Sequence, residues 1–155
     1  RSFANYIQQL EMESLGKPAN ARSFLRETGQ TIFGGFGSTA QHSYFQLLHQ
    51  GTSQASADII YSPSSKSPLS KAQAQGQAAL LSSTQKQSGK PLELTNSNIP
   101  VNLFMLPKLS LKELGFLVAT WEHRVFVTAS LLQINPFDQF GVAAGKTVAQ
   151  KFLKK

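Results

Sequence analysis

Glu13, His42, His49 and Lys146 are the side chains of this 155-residue sequence best placed by spacing to move protons. Glu13 follows Leu10 by three residues and Tyr6 by seven, which sets it on the apolar face of a helix and turns Glu11 away. Near the end of that helix, the negative dipole terminus and partial burial both disfavour the charged carboxylate, as suits a general base working near neutral pH. The competing reading is a boundary glutamate paired with Lys or Arg. His42 and His49 share the stretch S-T-A-Q-H-S-Y-F-Q-L-L-H-Q-G at residues 38–51. Ser38 and Gln41 form an S-x-x-Q capping box and Gly51 a stop, so the spacing predicts one helix over 38–51. His42 then lies near the electropositive start, where neutral imidazole is favoured and can relay a proton. Seven residues at a rise of ~1.5 Å each put the two histidines ~10 Å apart along the axis. That excludes one metal ion between them, so no metal is expected, and His49 reads as structural.

Lys146 interrupts an apolar face marked by Val142, Ala149 and Leu153, either snorkelling to water or aiming a cation into a site. The run G-V-A-A-G-K-T around it falls short of a phosphate loop: Phe140 stands where the first glycine belongs, and no strand precedes it.

The elements that must carry these residues follow from periodicity and punctuation. Phe3, Tyr6, Ile7 and Leu10 predict a first helix over roughly 2–15, stopped by Gly16 and Pro18. T-I-F-G-G-F-G at 31–37 reads as a short strand entering a glycine loop, in which residues without Cβ let backbone amides approach a ligand. A-D-I-I-Y at 57–61 and V-N-L-F-M-L at 101–106 read as strands. K-A-Q-A-Q-G-Q-A-A-L-L is a helix with little to pack, and 82–98 is a polar excursion. Ser110 and Glu113 form a second capping box, opening a helix apolar on most sides and expected to be central. V-A-A-G-K-T-V-A-Q-K-F-L closes the chain as an amphipathic helix. Alternating strands and helices indicate the α/β class, a three-layer α/β/α sandwich with a mainly parallel sheet.

The length suits one domain with a single core. Fifteen Lys and Arg against eight Asp and Glu give a formal charge of +7, which suits an anionic partner. Lys66, Lys71, Lys86, Lys90, Lys108 and Lys112 are scattered, and only Lys151, Lys154 and Lys155 cluster. This describes a solvated basic face rather than a nucleic-acid groove, and leaves phosphate esters open. Without cysteine there is no disulfide and no thiolate zinc site, which fits a reducing compartment such as the cytoplasm. The apolar run 114–121 is too short to span a bilayer, so no membrane partner is expected. The chain starts at Arg1 with a helical period already running by Phe3, and reads as a piece of something longer.

Three segments in order, E-M-E-S-L-G-K (11–17), G-S-T-A-Q-H-S-Y (37–44) and I-N-P-F-D-Q-F-G-V-A-A-G-K (134–146), resemble the glucose-6-phosphate isomerase family. Q-L-L-H-Q-G-T (46–52) and L-G-F-L-V-A-T-W-E-H (114–123) are similar to the segments that family carries between them. The resemblance implies a sugar-isomerase (SIS-like) domain, the C-terminal one of a two-domain enzyme whose first domain is absent here. It implies interconversion of glucose 6-phosphate and fructose 6-phosphate without metal or organic cofactor. By the matching positions, Glu13 is the general base and His42 and Lys146 open the ring. Gln139, with Gly37 and Ser38 of the glycine loop, contacts the substrate. A homodimer is implied too, each active site borrowing its histidine from the neighbouring subunit.

The sequence departs from the family in places. Its glycine loop lacks an acidic residue and proline that many members have, and T-N-S-N-I-P lacks a nearby arginine. The phosphate-binding Ser and Thr loop belongs to the first domain, so the chain alone is expected to be inactive. The alternative is a non-catalytic SIS-type domain that senses a sugar phosphate, which would need the glycine loop but not Glu13, His42 and Lys146 together.

Overall fold

The computed structural model describes residues 2–84 and 89–153; Lys86 and the terminal Lys154 and Lys155 lie outside them. In chain order the elements are α1 (Phe3–Leu15), α2 (Gly37–Gln41), α3 (Phe45–Gln50), β1 (Ala57–Tyr61), α4 (Pro68–Ser82), β2 (Val101–Met105), α5 (Leu111–Leu132) and α6 (Phe140–Leu153). They group into two compact units, Gly35–Phe116 and the pair of segments Arg1–Gly34 and Leu117–Lys155.

The unit Gly35–Phe116 is built on a parallel strand pair, in register from Ala57 opposite Val101 to Tyr61 opposite Met105. β-Branched and aromatic side chains favour both strands, and Asn102 Nδ2 donates to Asp58 Oδ1 at 2.7 Å across the register. Parallel strands require a crossover, and α4 supplies it, packing on both of them. Ser67 caps α4 by accepting the Ser70 N–H, Pro68 opens its first turn, and Ala78 and Leu81 face inward. The polar excursion is anchored at Asn96, whose Nδ2 donates to the carbonyls of Leu48 (3.1 Å) and Gly51 (2.7 Å) at the end of α3. At the start of α5, Ser110 Oγ donates to Glu113 Oε2. That bond is the main cause holding the Glu113 carboxyl below its usual range. The stabilisation it brings is present at neutral pH and fades as pH falls through the lowered value.

Two expectations fail in and around this unit. The single helix predicted over 38–51 is two short ones, with turns at residues 42–44 between α2 and α3. Ser38 is not its cap: α2 starts at Gly37 after Phe36, without a side-chain cap. Gly37, Ser38 and Thr39 are weak helix formers, and a five-residue helix without a side-chain cap does not propagate. The strand predicted within 31–37 is also absent, since its glycines disfavour extended pairing and the described sheet holds β1 and β2. Gly34 answers instead to packing, because a Cβ there would lie 3.0 Å from Ala4 Cβ.

In the other unit α1 packs on α5. Leu15, Val125 and Ala129 form its core with Leu10 and Ile134 against them, and Phe3 meets the Trp121 ring edge-on at 5.4 Å. The buried stripe of α5 is Leu117, Trp121, Val125, Ala129 and Leu132, one face at helical spacing. Phe116, Phe126 and Leu131 are exposed, so α5 is less enclosed than its composition predicts. α6 forms where expected, yet every residue of it is exposed.

α5 ends on Gln133, which adopts φ +57° so that the N–H of Ile134 reaches Ala129 O and that of Gln133 reaches Ser130 O. A left-handed, exposed, non-glycine residue is strained here, and Gln133→Gly is expected to stabilise the protein by about 0.5 kcal/mol, read from the urea midpoint.

Candidate active site

The carboxylate of α1 that is taken out of water is not the one the spacing selects. Ile7, Glu11 and Leu15, each four apart, form the buried stripe of α1, and Glu11 is 1% exposed. Its Oε2 accepts from Gln30 Nε2 at 2.8 Å, and its Oε1 lies 3.6 Å from Arg124 Nε, close enough for ion pairing but too long for a hydrogen bond. The Arg124 guanidinium also lies 5.8 Å from the centre of the Trp121 ring. A buried charge needs such partners, and the sequence places them 19 and 113 residues away.

Glu13 consequently faces the other side of α1, half-buried, on the wall of a cleft of about 370 Å³. Tyr6, Gln9, Leu10, Glu13 and Ser14 supply one wall at helical spacing, and Gln139, at the foot of α6, completes it. Gln9 Nε2 donates to Glu13 Oε2 at 3.3 Å, and Tyr6 is held by donating its hydroxyl to Glu122 Oε1 at 3.2 Å. Burial, then that hydrogen bond and the Glu122 charge, raise the Tyr6 phenol, so the cleft presents a neutral hydroxyl at physiological pH. A carboxylate, an amide and a phenol around an open cleft can bind a polyol and move a proton on it.

The remaining expected site residues lie elsewhere. Lys146 sits on the exposed α6, outside the lining of this cleft. Gly37, Ser38 and His42 belong to the unit Gly35–Phe116. His42 is exposed and is the C-cap of α2, its N–H bonded to Thr39 O at 3.1 Å. The dipole argument placing it at an electropositive helix start therefore does not hold. Near it, burial raises the Tyr44 phenol while a hydrogen bond with the Gly35 backbone works against that. His49 has the structural place expected of it, with Nε2 2.7 Å from Gln77 Oε1 and its ring against Phe45. Among the described residues no cluster of three His, Cys, Asp or Glu could hold a metal ion. Spacing alone did not single out Tyr6 or Lys17; Tyr6 was visible only as a marker of the apolar face, and Lys17 only as the last letter of E-M-E-S-L-G-K.

The sequence model of the family described as phosphoglucose isomerase matches residues 1–155. The chain belongs to the phosphoglucose isomerase family. Among curated members of this family, the glucose-6-phosphate isomerase of Shewanella loihica is 38% identical and that of Campylobacter jejuni subsp. doylei 35%, each alignment covering 100% of this chain and 33% of the relative. The crystal structure of a glucose-6-phosphate isomerase from Chlamydia trachomatis superposes with a TM-score of 0.80 at 29% identity, over 98% of this chain and 32% of that one. A hypothetical protein, TT0462 from Thermus thermophilus, shares the fold with a TM-score of 0.76 at 21% identity. The α/β class with parallel strands is thus that of a phosphoglucose isomerase. The chain spans about a third of the length of these isomerase relatives.

Proposed function

We propose that this chain is the C-terminal, base-bearing part of a glucose-6-phosphate isomerase. Glu13 takes the C2 proton of the open-chain aldose, the C–H electron pair forms the C1–C2 double bond of a cis-enediol, and the carbonyl oxygen gains a proton. Return of a proton to C1 and loss of one from the C2 hydroxyl give the ketose, with no net oxidation. His42 and Lys146 open and close the sugar ring, Gln139, Gly37 and Ser38 hold the substrate, and side chains alone carry the steps. The observation that carries this reading is the shared cleft of Glu13 and Gln139, whose volume of about 370 Å³ falls in the range of small-ligand pockets. A separate N-terminal domain supplies the phosphate site, and the enzyme works in the cytoplasm as a homodimer sharing its histidines between subunits.

A coupled assay tests it. The full-length protein is expected to convert fructose 6-phosphate to glucose 6-phosphate, and the 155-residue chain alone is not. A full-length protein that binds the sugar phosphate without turning it over is a sensor, and the reading fails. Assigning ring opening to His42 has its own consequence. His42→Asn is expected to slow turnover of fructose 6-phosphate by about a hundredfold, yet spare proton exchange at C2 of a tetrose 4-phosphate, whose esterified O4 leaves it no hydroxyl able to close a ring. Equal loss on both substrates contradicts that role.

A further inference from the structure

Lys17 follows the C-cap of α1, with its side chain 10% exposed. Its Nζ donates to Glu13 O at 2.5 Å and to Asp138 O, and pairs with Asp138 Oδ1 at 3.7 Å. Two backbone carbonyls thus take two of the three protons of the ammonium, and the Asp138 carboxylate faces its charge at ion-pair distance. Asp138 is itself braced, its Oδ2 accepting from Asn135 Nδ2 at 2.9 Å. The backbone of Lys17 is fixed as well, through Thr28 Oγ1 donating to Lys17 O and the Lys17 N–H reaching Leu15 O at 2.8 Å. Lys17, 121 residues before Asp138 in sequence, thus ties the peptide unit of Glu13 to the residue before Gln139.

We propose that Lys17 is a positioning residue for the isomerase reaction. It sets the separation of Glu13 and Gln139 across their cleft, so that the base meets C2 of a sugar held by the glutamine. The inference rests on the isomerase reading. Helix ends fray and loops shift, and about an ångström of displacement at a reacting centre costs on the order of a hundredfold in rate. An ammonium bonded to both backbones restrains that displacement without touching substrate.

The test is steady-state kinetics on the full-length enzyme, with the folded fraction of each variant measured by circular dichroism. Lys17→Met is expected to lower kcat per folded molecule by about a hundredfold with KM within about threefold. Lys17→Arg, which can donate to the same carbonyls, is expected to recover kcat to within about fivefold of the parent. Asp138→Asn keeps both carbonyl acceptors and serves if Lys17→Met does not fold; its kcat is expected to fall about fivefold at unchanged KM. A parental kcat per folded molecule in Lys17→Met, or in Asp138→Asn where Lys17→Met does not fold, overturns the proposal. A parent enzyme with no turnover sinks the isomerase reading itself, and the proposal with it.

Discussion

Glu13→Gln in the full-length protein is expected to lower kcat for fructose 6-phosphate by about a thousandfold while leaving the unfolding midpoint nearly unchanged. The two effects separate because of where the carboxylate sits. Glu13 is half-buried on the cleft wall, and its polar neighbour there is the amide of Gln9 at 3.3 Å. Glutamine has the same size and reaches the same neighbour, so packing and the hydrogen bond survive. What it lacks is an oxygen basic enough to take a proton from carbon. Substrate binding should persist, with KM moving little, since Gln139 and the rest of the wall are untouched.

The opposite pattern is expected two residues earlier. Arg124→Met removes the cation facing Glu11, which is 1% exposed, and leaves a buried carboxylate that accepts from Gln30 but faces no cation among the described residues. Breaking one side of such a pair costs about 3 kcal/mol, and loss of the guanidinium over Trp121 adds to it. Urea unfolding should show this directly. The double variant Glu11→Leu with Arg124→Met is expected to regain most of the loss, because two apolar side chains need no partners. A double variant no more stable than Arg124→Met would mean that the unpaired Glu11 carboxylate is not the source of the loss.

These two glutamates also mark how far the sequence can be read. Helical spacing placed both on α1 but assigned their faces the wrong way round. Leu10 and Tyr6 suggested an apolar face carrying Glu13, whereas α5 covers the stripe of Ile7, Glu11 and Leu15. The deciding partners, Gln30 and Arg124, are remote in sequence, and no local periodicity reveals them. Long or well-punctuated elements were legible: α1, β1, α4, β2, α5 and α6 lie within a residue or two of expectation, apart from the α4 start, which comes earlier at Pro68. The S-x-x-[EQ] pattern failed at Ser38 and marked a helix start at Ser110. At Ser110 a 22-residue apolar helix follows, and its hydroxyl reaches Glu113; at Ser38 the helix is the five residues Gly37–Gln41, opened by Gly, Ser and Thr. His42 lost its expected dipole environment with that helix, so its role rests on family resemblance. The cleft itself was half legible. Glu13 is reached from helical spacing as well as from that resemblance and Gln139 from the resemblance alone, while the lysine joining their backbones is visible only in three-dimensional contacts.

The central claim is that Glu13 moves a proton at C2 of a hexose phosphate. It is tested most directly by following, by NMR in deuterated water, deuterium incorporation at C2 of glucose 6-phosphate by the full-length parent and Glu13→Gln enzymes. Some of the proton held by a carboxylate open to the cleft should be lost to solvent before it returns, so the parent is predicted to incorporate deuterium. Glu13→Gln should bind the sugar phosphate yet incorporate almost none. Incorporation by Glu13→Gln at the parental rate would contradict the account.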